Sequence, residues 1–232
     1  MTRAIAPHGG TLVNRIIEGN QREALLAKAA SLSRIELDGW ALSDVEMIAI
    51  GGFSPLEGFM TKADYESVLT RRRLASPASP ARRLRTPGRA GGTPPKGGDG
   101  LVWTIPVTLA VSRAQAHGLE GEVVLTSGGS VVAILHLQEV YTPDKRLEAQ
   151  QVFGTADSAH PGVKRLETTG EIYLGGRISV VNRPKAATFT KYRLDPSDTR
   201  RLFAQRGWKR IVAFQTRNPI HRAHEYLQKC AL

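Results

Sequence analysis

The sequence predicts an α/β protein in two parts: a mixed, β-rich domain over residues 1–169 and, over residues 170–232, the start of an open α/β domain. Three observations carry this. The 232 residues are 41% hydrophobic, a globular composition with enough length for one large domain or two modest ones. Between Leu101 and Tyr141, runs of β-formers are separated by turn residues. From about Gly170 the texture changes to helix, strand, turn, helix, the rhythm of a doubly wound parallel sheet.

The elements follow in order. Gln21 to Ala30 is rich in helix formers. Ser43-Asp44-Val45-Glu46 reads as a capping box, Ser43 at N-cap and Glu46 at N3, opening a helix that Gly51-Gly52 stops. Thr61 caps a further helix that runs to Arg71-Arg72-Arg73. Leu101 to Val111 is strand-like, and Glu122 to Thr126 and Ser130 to Tyr141 form a hairpin across Ser127-Gly128-Gly129. In the second part Ile178 to Asn182 reads as a strand. Asp195 and Pro196 open a helix as N-cap and N1, Leu202 and Phe203 face a core, and Gly207 ends it. Ile211 to Phe214 is then a short apolar strand, Gln215-Thr216-Arg217-Asn218 a polar turn, and Pro219 begins a last helix.

The formal charge of +11 invites a nucleic-acid reading, but the charge is localised. Nearly half of the excess lies between Ser76 and Gly98, which holds Arg82, Arg83, Arg85, Arg89 and Lys96 and no acid. Pro, Gly, Ala and Arg dominate this low-complexity stretch, so it reads as a flexible surface insertion over 76–98. No aromatic interleaves its arginines to stack on bases, which argues against nucleic acid as a partner. The N-terminus carries no apolar signal core, no apolar run reaches membrane-spanning length, and Cys230 is the sole cysteine. The expectation is a soluble, cytoplasmic protein with no membrane partner.

The segment from Val212 to Glu225, VAFQTRNPIHRAHE, carries the chemistry. A strand that delivers a polar turn to the carboxyl edge of an α/β sheet places it where ligands bind. Asn218 suits N-cap and Pro219 the first helical position, so the helix start offers free N–H groups and a positive dipole end to a phosphate. His221 and His224, three apart, share a helical face. Arg217 offers a planar fork of donors to a tetrahedral oxyanion. The spacing is not that of a zinc site, and Cys230 stands at the wrong distance for a finger, so no protein-bound metal is expected. As a bare pattern the pair H-x-x-H fits an ordinary helix as well as an anion site.

The run QTRNPIHRAHEYLQKCAL resembles the signature of the sulfate adenylyltransferase (ATP sulfurylase) family, with its Q-x-R-N-P loop and a relative of the nucleotidylyltransferase histidine motif. Pro7-His8-Gly9-Gly10-Thr11-Leu12-Val13-Asn14-Arg15, Phe53-Ser54-Pro55-Leu56-Glu57-Gly58-Phe59-Met60, Val152-Phe153-Gly154-Thr155, His160-Pro161-Gly162-Val163 and Asn182-Arg183-Pro184 resemble further segments of that family in order. The resemblance implies a PUA-like N-terminal domain followed by the start of a Rossmann-like nucleotidylyltransferase domain. It implies a nucleotidyltransferase of sulfate assimilation that joins ATP and sulfate into adenosine 5′-phosphosulfate and pyrophosphate. Gln215 and Arg217 would bind sulfate; Thr216, Arg217 and Asn218 would be catalytic. Gln215, Thr216, Arg217, Asn218, His221 and His224 would contact ATP. Mg²⁺ would arrive as MgATP, and a homo-oligomer is open for the full-length protein. The family pattern continues past Leu232 through a segment with a G-R-D motif, so the expectation is a fragment that is inactive alone. The competing classes are a PUA-like RNA-binding module and a non-catalytic remnant.

Overall fold

The computed structural model describes residues 5–75, 100–184 and 188–232. The insertion expected over 76–98 lies outside them. The chain divides into two compact units, Ala6–Pro196 and Ser197–Leu232, the latter joined by Ile5.

The larger unit is built on a six-stranded sheet. Its strands are β1 (Arg34–Glu36), β2 (Gly58–Phe59), β3 (Leu109–Val111), β4 (Glu122–Ser127), β5 (Ser130–Tyr141) and β6 (Ile172–Val180). Their order is β1-β4-β5-β6-β2, with β3 also on β6; only β1 with β4 is parallel. The β4–β5 hairpin turns through Gly128 and Gly129, both at positive φ (57° and 76°). A tight two-residue turn that matches strand twist requires that conformation twice, and glycine adopts it without strain.

Alternation decides what covers the sheet. Val123, Leu125, Ala133 and Leu135 face the main core with Val45, Ile48 and Ala49 of helix α2 (Gly39–Ala49). Their neighbours Val124 and Ile134 point the other way, onto Ala29 of helix α1 (Gly19–Ala29). With both faces covered, the central strands read as nearly continuous apolar runs rather than alternating ones. Helix α3 (Lys62–Arg71) starts after Thr61, as its sequence predicts. Its first amide, that of Lys62, donates to Glu139 Oε2 (2.9 Å). A short helix α4 (Arg113–Ala116) and helices α5 (Lys145–Phe153) and α6 (Pro161–Thr168) complete the unit.

A tyrosine cluster sits between α3, α5 and the sheet. The rings of Tyr65, Tyr141 and Tyr173 lie 5.7–5.8 Å apart. Glu148 of α5 is only 8% exposed beside them. Its Oε2 accepts from the hydroxyls of Tyr65 and Tyr173, each at 3.0 Å. Burial raises its carboxyl above the usual range more than the two phenols and Lys145 lower it.

Three sequence expectations change. Helix α2 begins four residues before Ser43: Asp38 is its N-cap, accepting from the amides of Trp40 (3.0 Å) and Ala41 (2.7 Å). Arg165 holds this extra turn, stacking 4.4 Å over Trp40 and pairing with Asp38 at 3.0 Å. The strand expected at Ile178 to Asn182 starts at Ile172, between β5 and β2. A central strand cannot be divided from its sheet, so the first unit runs to Pro196 and the boundary does not fall at 169. Finally, Ile211 to Phe214 forms no strand; no described strand pairs with it, and an extended segment is a strand only when paired.

The flanks of the 76–98 stretch are pinned together. Arg73 and Val102 form an antiparallel bridge, Leu74 N–H donates to Leu101 O (2.9 Å) and Trp103 N–H to Arg72 O (2.9 Å). The chain thus leaves and returns at adjacent points. Deleting residues 76–98 should shift the thermal midpoint by no more than about 2 °C, the effect of under 1 kcal/mol in a chain of this size. A melt that drops by about 10 °C would show that these residues pack against the fold.

Candidate active site

The second unit holds helix α7 (Pro196–Gln205) and helix α8 (Arg222–Ala231). Pro196 opens α7 as expected, and Arg183 grips the preceding Asp195 in a fork of 2.7 and 2.8 Å. Gly207 at φ 66° ends the helix, with Trp208 N–H returning to Phe203 O at 3.1 Å. Phe203 meets no buried core; it stacks on Trp208 at 5.8 Å, and Arg206 lies over that indole at 4.8 Å.

Residues 208–221 carry no helix or strand. The polar turn is organised by Thr216, whose hydroxyl oxygen accepts from Asn218 N–H at 3.1 Å, a local side-chain turn. Thr216 is half-buried, while Gln215, Arg217 and Asn218 are exposed. Among the described residues neither Gln215 nor Arg217 has a hydrogen-bond or ion-pair partner. Asn218 and Pro219 do not open the helix. His221, with extended backbone (φ −131°, ψ 177°), is its N-cap, and Arg222 its first residue. Asn218 is held instead in the turn by Thr216, which displaces the helix start by three residues.

That displacement brings the histidines together. With His221 at N-cap and His224 at N3, the rings stand 4.0 Å apart. His221 N–H donates to His224 Nδ1 (3.4 Å), and Phe214 packs edge-on against His224 at 5.6 Å. Beside the rings, the first amides of α8 have no intrahelical acceptor. The charge around them has one sign. From Thr199 to His224 there is no Asp or Glu, while arginines and lysines recur throughout. The flanking acids Asp198 and Glu225 are paired with Arg201 (2.8 Å) and Lys229 (2.7 Å). A helix start in such a field attracts multivalent oxyanions. Among the described residues no group of three His, Cys, Asp or Glu is placed to hold a metal, and no helix is long and apolar enough to cross a membrane.

Sequence reading missed a second feature, in the larger unit. A cavity of about 590 Å³ is lined by His8, Asp44, Phe53 and residues 102–107. Burial, with the charge of Asp38 adding to it, pushes the Asp44 carboxyl up to about 6. A folded-state value above the ordinary 3.8 means that ionisation opposes folding: stability is full below about pH 4 and declines as pH rises through about 6. A gap of that size corresponds to about 3 kcal/mol for an enclosed group, and solvent screening of this partly exposed one reduces it to about 1 kcal/mol. Asp44→Asn should therefore raise the thermal midpoint by about 3 °C at pH 7.5 and leave it unchanged at pH 4. Equal midpoints at both pH values would remove the burial penalty.

Comparison with known proteins places both units. Residues 5–183 match the family model described as a PUA-like domain, and residues 190–232 match that described as ATP-sulfurylase. The fold and the basic turn–helix segment thus define a PUA-like domain followed by a sulfurylase-type segment. Sulfate adenylyltransferases of Symbiobacterium thermophilum and Nostoc punctiforme are 47% and 48% identical over 100% and 99% of this chain, and over 54% and 53% of their own lengths. A probable bifunctional SAT/APS kinase of Sorangium cellulosum is 48% identical over 98% of this chain and 36% of its own. The solved hexameric APS kinase from Thiobacillus denitrificans superposes with a TM-score of 0.70 at 32% identity, covering 99% of this chain and 37% of that one. The chain belongs to the sulfate adenylyltransferase family, and it spans about half the length of the curated relatives it matches.

Proposed function

We propose that this chain supplies the anion-binding half of a sulfate adenylyltransferase site, used to join ATP and sulfate into adenosine 5′-phosphosulfate and pyrophosphate. The observation that carries the proposal is the acid-free stretch from Thr199 to His224, which ends in a Thr-locked turn and a helix start with two adjoining imidazoles. In this reading Gln215 and Arg217 hold sulfate, Arg217 through its planar fork. A sulfate oxygen attacks the α-phosphorus in line and pyrophosphate departs. Thr216, Arg217 and Asn218 stabilise the charge that spreads over the equatorial oxygens. His221 and His224 meet the leaving phosphates beside the free amides of α8. The nucleotide substrate would be MgATP, whose magnesium would neutralise charge on the phosphates. Catalysis comes from positioning and electrostatics, with no covalent enzyme intermediate.

The exposure of Gln215, Arg217, Asn218 and His221 bears on what the 232 residues do alone. Electrostatic stabilisation is strong only where water is excluded. The isolated chain should therefore bind pyrophosphate weakly, shifting the amide signals of His221 to His224, yet form no ATP from adenosine phosphosulfate and pyrophosphate. Robust turnover by the purified chain would contradict this division of the site. Amide signals unmoved by millimolar pyrophosphate would remove the anion-binding role.

A further inference from the structure

We propose that the cavity between His8, Asp44, Phe53 and Trp103 is a binding site for an organic cation, an ammonium or guanidinium carried on an apolar stem. The residues that line this site all belong to the PUA-like unit.

Asp44 is the one carboxylate that lines the cavity among the described residues. Among the described residues its carboxylate has no hydrogen bond and no ion pair, although it is half-buried on α2. Arg165, whose charge favours its ionised form, is already engaged by Asp38 (3.0 Å) and stacked on Trp40. A partly enclosed carboxylate without a partner opposes folding, and such groups gather at functional sites.

The walls select what can satisfy it. Phe53 meets Trp103 edge-on, ring centroids 6.2 Å apart at 90°, so the two rings form a corner. Aromatic faces attract cations. The ring N–H groups of the wall are already engaged: Trp103 Nε1 donates to Ile105 O (2.8 Å), and His8 Nε2 donates to Val102 O (2.9 Å). Val102 and Ile105 remain exposed at 51% and 59%, an apolar rim suited to a stem. The cavity thus offers a negative acceptor and aromatic walls, with its indole and imidazole N–H groups closed off. It suits a positively charged donor and opposes phosphates and carboxylates. Its volume is in the range of small-molecule sites.

The test is an NMR titration of the 232-residue chain at pH 7.5, reading the Trp103 indole N–H and the amides of Val102, Trp103, Thr104, Ile105 and Val107. The probes are phenethylammonium, for a free amine, and Nα-acetyl-arginine methylamide, for a guanidinium borne on a polypeptide. Phenylethanol and phenylacetate are neutral and anionic controls. Saturable shifts are expected with at least one cationic probe, and the tighter of the two names the source. Phenylethanol should bind at least tenfold more weakly and phenylacetate not at all. Asp44→Asn, checked for an unchanged spectrum away from the cavity, should lose affinity for the cation at least tenfold and retain it for phenylethanol. Cation binding that survives Asp44→Asn, phenylethanol binding as tight as the cation's, or the absence of saturable shifts would each overturn the proposal.

Discussion

Arg217→Lys should lower the rate of adenosine phosphosulfate formation by about 10²–10³-fold or more in a protein that completes the site. The suitable protein is a chimera in which the second half of the Symbiobacterium thermophilum relative follows Leu232. The guanidinium meets a tetrahedral oxyanion with two hydrogen bonds in one plane, whereas lysine brings the same formal charge as a single point. The side chain is exposed and has no partner among the described residues, so its replacement removes no packing. The thermal midpoint should stay within about 1 °C. Steady-state kinetics with sulfate and ATP, paired with a melt, separate this from the reading in which Arg217 is an ordinary surface cation. That reading requires the lysine variant to turn over like the wild type.

The second large effect is on stability. Glu148→Ala removes the carboxylate that accepts from the hydroxyls of both Tyr65 and Tyr173 in the buried cluster, leaving Tyr65 a longer contact with Asp144 O (3.3 Å) and Tyr173 its bond with Thr108. Burial and the neighbouring carboxylate hold both phenols above their usual range, so they remain donors at every working pH. A hydrogen bond to a charged group contributes about 1.5–3 kcal/mol, and the remaining partners offset part of the loss of two, so the variant should lose roughly 3 kcal/mol and about 10 °C in the midpoint. Glu148→Gln is the informative contrast. Its amide oxygen still accepts from the tyrosines, and it removes a charge that burial disfavours. The loss should stay under about 1 kcal/mol. Because burial raises the folded-state value of Glu148, its contribution is fullest at low pH and declines as pH rises through that value; the glutamine variant should lack this decline. If the alanine and glutamine variants melt together, the tyrosine bonds are not what the carboxylate contributes.

The parts of the fold legible in the sequence are those set by local chemistry. Gly128-Gly129 between two β-rich runs specifies its hairpin because both positions need positive φ. Asp195-Pro196 marks the start of α7, and Gly207 its end. Where two local signals compete, tertiary contacts choose between them. Ser43 and Glu46 satisfy a capping box on paper, yet Asp38 caps α2 because Arg165, distant in sequence, stabilises the added turn. Asn218 and Pro219 look like a helix start, yet Thr216 takes the Asn218 amide and His221 becomes the cap. The boundary expected at 169 was misplaced because one apolar strand reads alike in a parallel and an antiparallel sheet; only the pairing of β6 with β5 reveals its domain.

The candidate site divides in the same way. The turn and histidine motif is contiguous and therefore readable, although the 4.0 Å approach of the two rings depends on the shifted cap. The cavity at Asp44 is assembled from three separated segments, and nothing in any of them signals it. Glu148 lies in the polar run KRLEAQQ, which reads as a solvated helix; its burial becomes visible only once Tyr65 and Tyr173 close over it.

If the segment from Gln215 to His224 is a working half of a sulfate adenylyltransferase site, supplying the other half should restore turnover. The most direct measurement is ATP formation from adenosine phosphosulfate and pyrophosphate by the chimera, compared with the second half of the relative alone. Sustained ATP formation is expected from the chimera and none from the relative's half on its own. A chimera that folds cooperatively and yet forms no ATP would contradict it.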